Sequence, residues 1–143
     1  PHFLDLKDFS KDVLRAMLDK GAKRKQARKQ LSKGEFDADL PLKGKAVALI
    51  FERPSTRTRF SFEMAIRQLG GEVFTVSGGE MQLGRGETVA DTARVISRYV
   101  DGIMVRAKAH ETLLELAGAK YPAERDGVAV LLGVRRAVEV GDP

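Results

Sequence analysis

A run of hydroxyl and guanidinium side chains, STRTR at residues 55–59, is the part of the sequence best suited to chemistry. The hydroxyls of Ser55, Thr56 and Thr58 can donate hydrogen bonds, and the planar fork of Arg57 can bind an oxyanion. The same residue types also cap helices and face solvent. The run by itself therefore leaves both oxyanion binding and helix capping open.

The STRTR run lies between a predicted strand and a predicted helix. Residues 45–51, KAVALIF, form a continuous apolar segment that is typical of a strand buried on both faces of a parallel sheet. The following helix is predicted to stop at Gly70 and Gly71. Its first N–H groups have no partner within the helix and carry the positive end of its dipole. Such a junction favours the binding of phosphate.

Strands and helices alternate along most of the chain, which predicts an α/β fold. We expect a doubly wound parallel sheet of about four strands with flanking helices in a single domain. The predicted strands cover 45–51, 72–76, 102–105 and part of 126–133. The predicted helices cover 10–31, the segment from the STRTR run to Leu69, the segment from a capping box at Thr88 to about Val100, and 110–117.

Two further arginines belong to the same region of the predicted fold. Arg106 follows the strand at 102–105, and ligands of open parallel sheets bind beyond the carboxyl ends of the strands. If this strand neighbours the one at 45–51, Arg106 converges with Arg57 on one pocket; otherwise it ends a strand and faces water. Arg59 either contacts the loop or pairs with Glu63, four residues along the helix.

The composition of the chain excludes or disfavours several other classes of site and function. The chain has 143 residues, a formal net charge of +5 and no cysteine, so disulfides and thiolate metal sites are excluded. Its two histidines, His2 and His110, are far apart in sequence, and we expect no metal site. No signal peptide or membrane span is predicted, which makes the cytoplasm the default location. The basic cluster at residues 23–29 suits a solvated helix face better than a nucleic-acid interface.

Four motifs closely resemble the amino-terminal half of the ornithine carbamoyltransferases, within the wider aspartate/ornithine carbamoyltransferase family. They are FExxSTRTRxSFE at 51–63, QLGRGE at 82–87, DTARVISRYVDGI at 91–103 and VRAKAHETLLELA at 105–117. The resemblance implies a carbamoyl-phosphate-binding domain over residues 1–117, followed by a divergent tail at 118–143 that could supply the last strand. The family's ornithine-binding domain is expected to be absent.

The resemblance also implies roles for individual residues. Arg57, Thr58 and Arg106 are the implied catalytic residues. Gln82 matches a loop that reaches the site of the neighbouring subunit in a homotrimer. The implied carbamoyl phosphate ligands are Ser55, Thr56, Arg57, Thr58, Gln82 and Arg106.

The implied reaction transfers a carbamoyl group from carbamoyl phosphate to the side-chain amine of L-ornithine, with no metal or organic cofactor. This sequence lacks the family's His-Pro-x-Gln motif and its cysteine-containing motif. We therefore expect that the chain alone makes no appreciable citrulline, because both substrates must be positioned together. A non-catalytic carbamoyl-phosphate-binding or subunit-assembly module is the alternative. Neither nucleic acid nor membrane is an expected partner.

Overall fold

Four α-helices and four strands alternate along the described part of the chain. The computed structural model describes residues 2–77, 86, 88–118 and 129–132. The strands are β1 Ala46–Phe51, β2 Glu72–Ser77, β3 Gly102–Arg106 and β4 Ala129–Leu132. The helices are α1 Lys11–Ala27, α2 Thr56–Gln68, α3 Val89–Ile96 and α4 His110–Gly118. None of these helices is long and apolar enough to span a membrane.

All four strands belong to one parallel sheet, in the order β2-β1-β3-β4. The predicted α/β fold, with a doubly wound parallel sheet of about four strands in a single domain, is confirmed. The predicted fourth strand is confirmed as well, because the backbone of β4 pairs with β3 from Gly102 to Val105. The central position of β1 explains its continuous apolar sequence, since a strand covered on both faces has no solvent side.

Helices cover both faces of the sheet. On one face, α2 packs through Ile66 against Leu49 and Met104. On the other face, α3 and α4 pack through Ala93 and Leu113 against the alternate side chains of the same strands. Because side chains alternate along a strand, each inner strand contributes to both apolar clusters. The arrangement holds the carboxyl ends of β1 and β3 at one edge of the sheet.

A glycine pair ends α2, as the sequence predicts. Gly70 has a φ of +85°, which lies in the left-handed region that glycine adopts without strain. At Gly71 a Cβ would lie 3.0 Å from side-chain atoms of both Ile66 and Leu42. The tight turn sends the chain directly into β2 and fixes how far α2 lies from the sheet.

Helix α1 differs from its prediction. Ser10 caps it as expected, with its Oγ accepting from the backbone N–H of Val13. However, the α-helix ends at Ala27 and a 3₁₀ turn continues to Gln30, so the predicted end at Leu31 is only approximate. No residue of the helix is buried, and Met17 is 49% exposed.

Ion pairs attach α1 to the rest of the domain. Arg24 and Arg28 both pair with Asp37, whose side chain is only 8% exposed, and Arg24 also pairs with Asp39. The backbone N–H of Asp37 in turn donates to the carbonyl of Gln68 at the end of α2. Hydrophobic periodicity therefore predicted the helix correctly but not the contacts that attach it.

Helix α3 begins at the predicted cap, where Thr88 Oγ1 accepts from the N–H of Asp91 at 3.1 Å. It ends at Ile96, short of the predicted Val100, and a turn leads to β3. Val100 is nevertheless buried in the core beside Ala93. Its side chain has the predicted environment although its backbone has left the helix.

Candidate functional site

The strand order creates a topological switch point between β1 and β3. From β1 the chain moves outward to β2 on one side, and β3 then pairs on the other side of β1. The helix that follows β1 covers one face of the sheet, while the helix that follows β3 covers the opposite face. The two connections therefore diverge and leave a crevice at the carboxyl ends of the strands, where open α/β sheets bind ligands.

The start of α2 lies at this crevice with its donors free. Ser55 is the N-cap residue, yet its side chain makes no capping hydrogen bond, and no acidic residue lies in the first turn. By contrast, the N-cap residues Ser10 and Thr88 use their hydroxyls to cap α1 and α3. Helix capping therefore does not explain the Ser55 hydroxyl. The first turn of α2 keeps its N–H groups and its positive dipole end available to an anion.

Two arginines flank the same crevice. Arg57 lies in the first turn of α2 and is exposed, and Arg106 is the last residue of β3 and is half-buried. Neither guanidinium has a hydrogen-bond or ion-pair partner among the residues that the structure describes. Charged groups without internal partners at a concave edge are suited to bind a ligand of opposite charge.

The register of β1 and β3 brings Arg106 to the α2 side of the sheet. Phe51 and Arg106 are register partners at the ends of the two strands. Side chains alternate along β3, so Arg106 projects on the same side as Met104, which packs in the apolar cluster under α2. The sequence left it open whether β3 neighbours β1, and the structure shows that it does.

Thr58 has its backbone carbonyl engaged within the helix, where it accepts from the Ser61 Oγ at 3.0 Å. Its side chain is half-buried in the first turn of α2, next to Arg57. The structure thus brings the predicted residues of the STRTR run and Arg106 to one edge. Gln82, the remaining predicted ligand, lies outside the described residues.

Glu52 joins the two strand ends and was given no role by the sequence. Its backbone N–H donates to the carbonyl of Arg106 at 3.1 Å, and its Oε2 accepts from the backbone N–H of Lys108 at 2.5 Å. Residues 52 and 108 are 56 positions apart. The only signal in the sequence was the place of Glu52 in the FExx motif, directly before the STRTR run.

A cleft of about 310 Å³ opens on the β2 side of the start of α2. Its lining includes Ser55, Thr56 and Arg59, but not the side chains of Arg57 or Arg106. The start of α2 thus borders both this cleft and the crevice between β1 and β3. The switch point coincides with the crevice, and so do the two guanidinium groups that have no partner among the described residues.

Arg59 is attached to its own helix. Its Nε lies 3.8 Å from Glu63 Oε1, and the same oxygen accepts from the Thr75 hydroxyl at 2.5 Å. The predicted pairing of Arg59 with Glu63 is confirmed. The arrangement ties the first half of α2 to β2 and fixes the direction in which the helix leaves the crevice.

Metal-binding side chains do not cluster in the parts of the chain described by the structure. No group of three or more histidine, cysteine, aspartate or glutamate side chains is placed to hold a metal ion there. The candidate site consists of backbone N–H groups, hydroxyls and guanidinium groups. Groups of these types are suited to bind an oxyanion by hydrogen bonds and charge.

Comparison with known proteins agrees with this geometry. The family model described as aspartate/ornithine carbamoyltransferase, carbamoyl-P binding domain, matches residues 1–134. The match extends past Ala117 and takes in β4. Curated relatives named ornithine carbamoyltransferase include one from Cereibacter sphaeroides, 58% identical over 116 residues, and one from Paracoccus denitrificans, 57% identical over 115 residues. These alignments cover 81% and 80% of this chain but only 38% and 37% of the relatives.

Solved structures show the same similarity in three dimensions. The ornithine carbamoyltransferase from Pyrococcus furiosus matches with a TM-score of 0.79 and 38% identity, over 93% of this chain and 39% of its own. The anabolic ornithine carbamoyltransferase from Campylobacter jejuni matches with a TM-score of 0.75 and 39% identity, over 92% of this chain and 39% of its own. The chain therefore spans about two fifths of the length of the proteins it matches.

Proposed function

Because this chain belongs to the aspartate/ornithine carbamoyltransferase family, whose carbamoyl-phosphate-binding domain matches residues 1–134, we propose that it binds carbamoyl phosphate at the crevice between β1 and β3. The observation that carries the proposal is the free start of α2. Its Ser55 hydroxyl is not used for capping, and its first turn holds no acid. Arg106 extends from the neighbouring strand toward the same side of the sheet.

Each proposed ligand has a distinct chemical task. The N–H groups and hydroxyls at Ser55, Thr56 and Thr58 bind phosphate oxygens at the positive end of the helix dipole. Arg57 supplies a planar fork to the phosphate and lies close to the carbamoyl group. Arg106 contacts both ends of the ligand. We propose Gln82 as a further ligand, contributed to the site of a neighbouring subunit.

The proposed reaction of the complete active site is carbamoyl transfer to L-ornithine. The neutral side-chain amine attacks the carbonyl carbon, and a C–N bond forms as the carbonyl oxygen gains negative charge. Arg57, Thr58 and Arg106 stabilise that charge. The C–O bond to phosphate then breaks, phosphate leaves, and the nitrogen loses a proton to give citrulline. Holding both substrates in register supplies much of the rate.

The domain boundaries, assembly and location are part of the same proposal. We propose residues 1–117 as the main part of the carbamoyl-phosphate-binding domain and residues 118–143 as the segment that supplies β4, while the match to the family's domain runs on to residue 134. The active assembly is a homotrimer in the cytoplasm that serves arginine biosynthesis. The ornithine-binding half is not supplied by these 143 residues, so we expect that the chain alone makes no appreciable citrulline.

The test of binding is to titrate the purified 143-residue chain with carbamoyl phosphate and to measure the melting temperature of the chain at each ligand concentration. A ligand that binds only the folded state stabilises it by about 2.7 kcal/mol at a hundredfold excess over its dissociation constant. We expect this stabilisation in the wild type and its loss in Arg57→Ala. The matched control is Arg67→Ala, which removes an exposed arginine from the opposite end of the same helix.

The two variants separate binding at the crevice from general attraction to a basic protein. Both remove one positive charge, but only Arg57 lies at the start of α2. If a folded wild-type chain shows no stabilisation by carbamoyl phosphate, the proposed function is wrong. If both variants lose it equally, the anion binds by net charge and not at this site.

A further inference from the structure

Glu52 places a carboxylate at the mouth of a site that is otherwise built to attract anions. It is half-buried, it lines the cleft beside Ser55 and Thr56, and it directly follows β1. A negative charge at this position repels phosphate, so the presence of the carboxylate needs an explanation other than ligand binding. Its contacts in the structure supply that explanation.

Glu52 fastens the chain after β3 with two hydrogen bonds. The bond from its N–H to the carbonyl of Arg106 extends the β1–β3 ladder one residue beyond the last register pair. The bond from the Lys108 N–H to its carboxylate then crosses to the turn that follows β3. Together they hold both ends of the segment 106–108. A carboxylate makes a stronger acceptor for such a bond than a neutral group.

This connection lies where the two parts of the candidate site meet. Three residues separate the Ser55 cap of α2 from β1, and Glu52 is the first of them. Arg106 is the first residue of the clasped segment. Glu52 therefore lies in the connection between the start of α2 and the segment that begins at Arg106.

We propose that Glu52 is a positioning residue, which sets Arg106 relative to the start of α2 by clasping segment 106–108. This inference rests on the proposed function, because the clasp is expected to change the affinity for carbamoyl phosphate. The carboxylate acts on the site through the backbone and does not touch the ligand. Its hydrogen-bond accepting oxygen is the feature that matters, and its negative charge is a cost that the site tolerates.

The experiment compares Glu52→Ala with Glu52→Gln in the full chain. The amide oxygen of glutamine can still accept from the Lys108 N–H, whereas alanine cannot. Hydrogen exchange of the Lys108 amide, measured by NMR without ligand, reports the clasp. The dissociation constant for carbamoyl phosphate, measured by calorimetric titration, reports its effect on the site. The control is Glu72→Ala, which removes an exposed carboxylate at the opposite end of the sheet.

We expect Glu52→Ala to speed exchange of the Lys108 amide. It should also weaken carbamoyl phosphate binding about tenfold, because a displaced Arg106 loses one charge-assisted hydrogen bond to the ligand. Glu52→Gln should restore both, to within about threefold of the wild-type affinity. Glu72→Ala should change neither.

Each other result overturns the inference. If the wild type binds but Glu52→Ala binds equally well, the positioning role is wrong while the proposed function stands. If Glu52→Gln protects the Lys108 amide yet binds as weakly as Glu52→Ala, the carboxylate acts on the ligand itself. If the wild type does not bind carbamoyl phosphate, the proposed function fails and the inference falls with it.

Discussion

Phe51 and Arg106 are register partners at the carboxyl ends of β1 and β3. Phe51 ends the strand that leads to the STRTR run, and Arg106 ends the strand on the far side of the topological switch point. This pairing brings residues about fifty positions apart in sequence to one edge of the sheet. It is the relationship on which the candidate site depends.

The role of Arg106 can be separated from the stability of the fold. We expect Arg106→Ala to weaken carbamoyl phosphate binding at least tenfold, because hydrogen bonds to charged groups contribute about 1.5–3 kcal/mol. Its guanidinium has no partner among the described residues, so the free energy of unfolding should change by less than about 0.5 kcal/mol. Calorimetric titration and urea unfolding measure the two effects. The control is Arg15→Ala, on the exposed side of α1. If Arg106→Ala lost much stability but bound carbamoyl phosphate as well as the wild type, Arg106 would have a structural role.

The ion pairs that attach α1 provide a matched pair of acidic residues. Asp37 contacts two arginines and its side chain is 8% exposed, whereas Asp39 contacts one and its side chain is 69% exposed. We expect Asp37→Asn to lower the free energy of unfolding by about 3 kcal/mol, since Arg28 loses its buried counter-ion and Arg24 keeps only the exposed Asp39. Asp39→Asn should cost much less because solvent screens an exposed pair. Urea unfolding compares them, and equal losses would contradict the assignment of Asp37 as the anchor.

Asp101 predicts a loss of stability in acid. The backbone N–H of Ala46 donates to its carboxylate, and Lys45 also pairs with it; these contacts hold the pKa of Asp101 below its ordinary value. The pKa of Asp101 is lower in the folded state than in the unfolded state. Its contribution to the free energy of unfolding is therefore fully present above the unfolded pKa and is lost as the pH falls through the folded pKa. The pH range in which this stability is lost therefore begins near 3.8, the ordinary pKa of aspartate, and extends below it.

Two variants test which contact of Asp101 matters more. Asp101→Asn should lower the free energy of unfolding at neutral pH, and its difference from wild type should shrink in acid. Lys45→Gln should keep most of the acid dependence, because the bond from Ala46 is the larger cause of the shift. Urea unfolding at pH values from about 6 to about 3 measures both. A Lys45→Gln protein with no acid dependence would show that the ion pair dominates.

Replacing Thr92 of α3 or Thr88, the N-cap of that helix, by valine should change the free energy of unfolding in opposite directions. Thr92 is 5% exposed, and its hydroxyl has no hydrogen-bond partner in the described structure. Thr92→Val removes this unsatisfied group and should raise the free energy of unfolding by about 1 kcal/mol. Thr88→Val removes the N-cap bond to Asp91 and should lower it by about 1 kcal/mol. Thermal unfolding measures both, and a destabilised Thr92→Val protein would indicate a buried partner for that hydroxyl.

Local sequence predicted most elements of the fold because their causes are local. The apolar run that became β1, the glycine pair after α2 and the Thr88 cap each act within a few residues. The predicted ends of α1 and α3 were less accurate. Helical periodicity continued past Ala27 and Ile96, whereas the backbone left the α-helix at these residues.

The sequence by itself determined which residues are candidates for the site, since the STRTR run and the arginine after β3 can be recognised from residue types and strand ends alone. Only the tertiary structure decided that β3 lies beside β1, that the Ser55 hydroxyl is free of capping, and that Glu52 clasps the Lys108 amide. Strand order and contacts between residues 56 positions apart depend on how the helices pack on the sheet. That packing is set by the whole apolar core at once, and no short stretch of sequence encodes it.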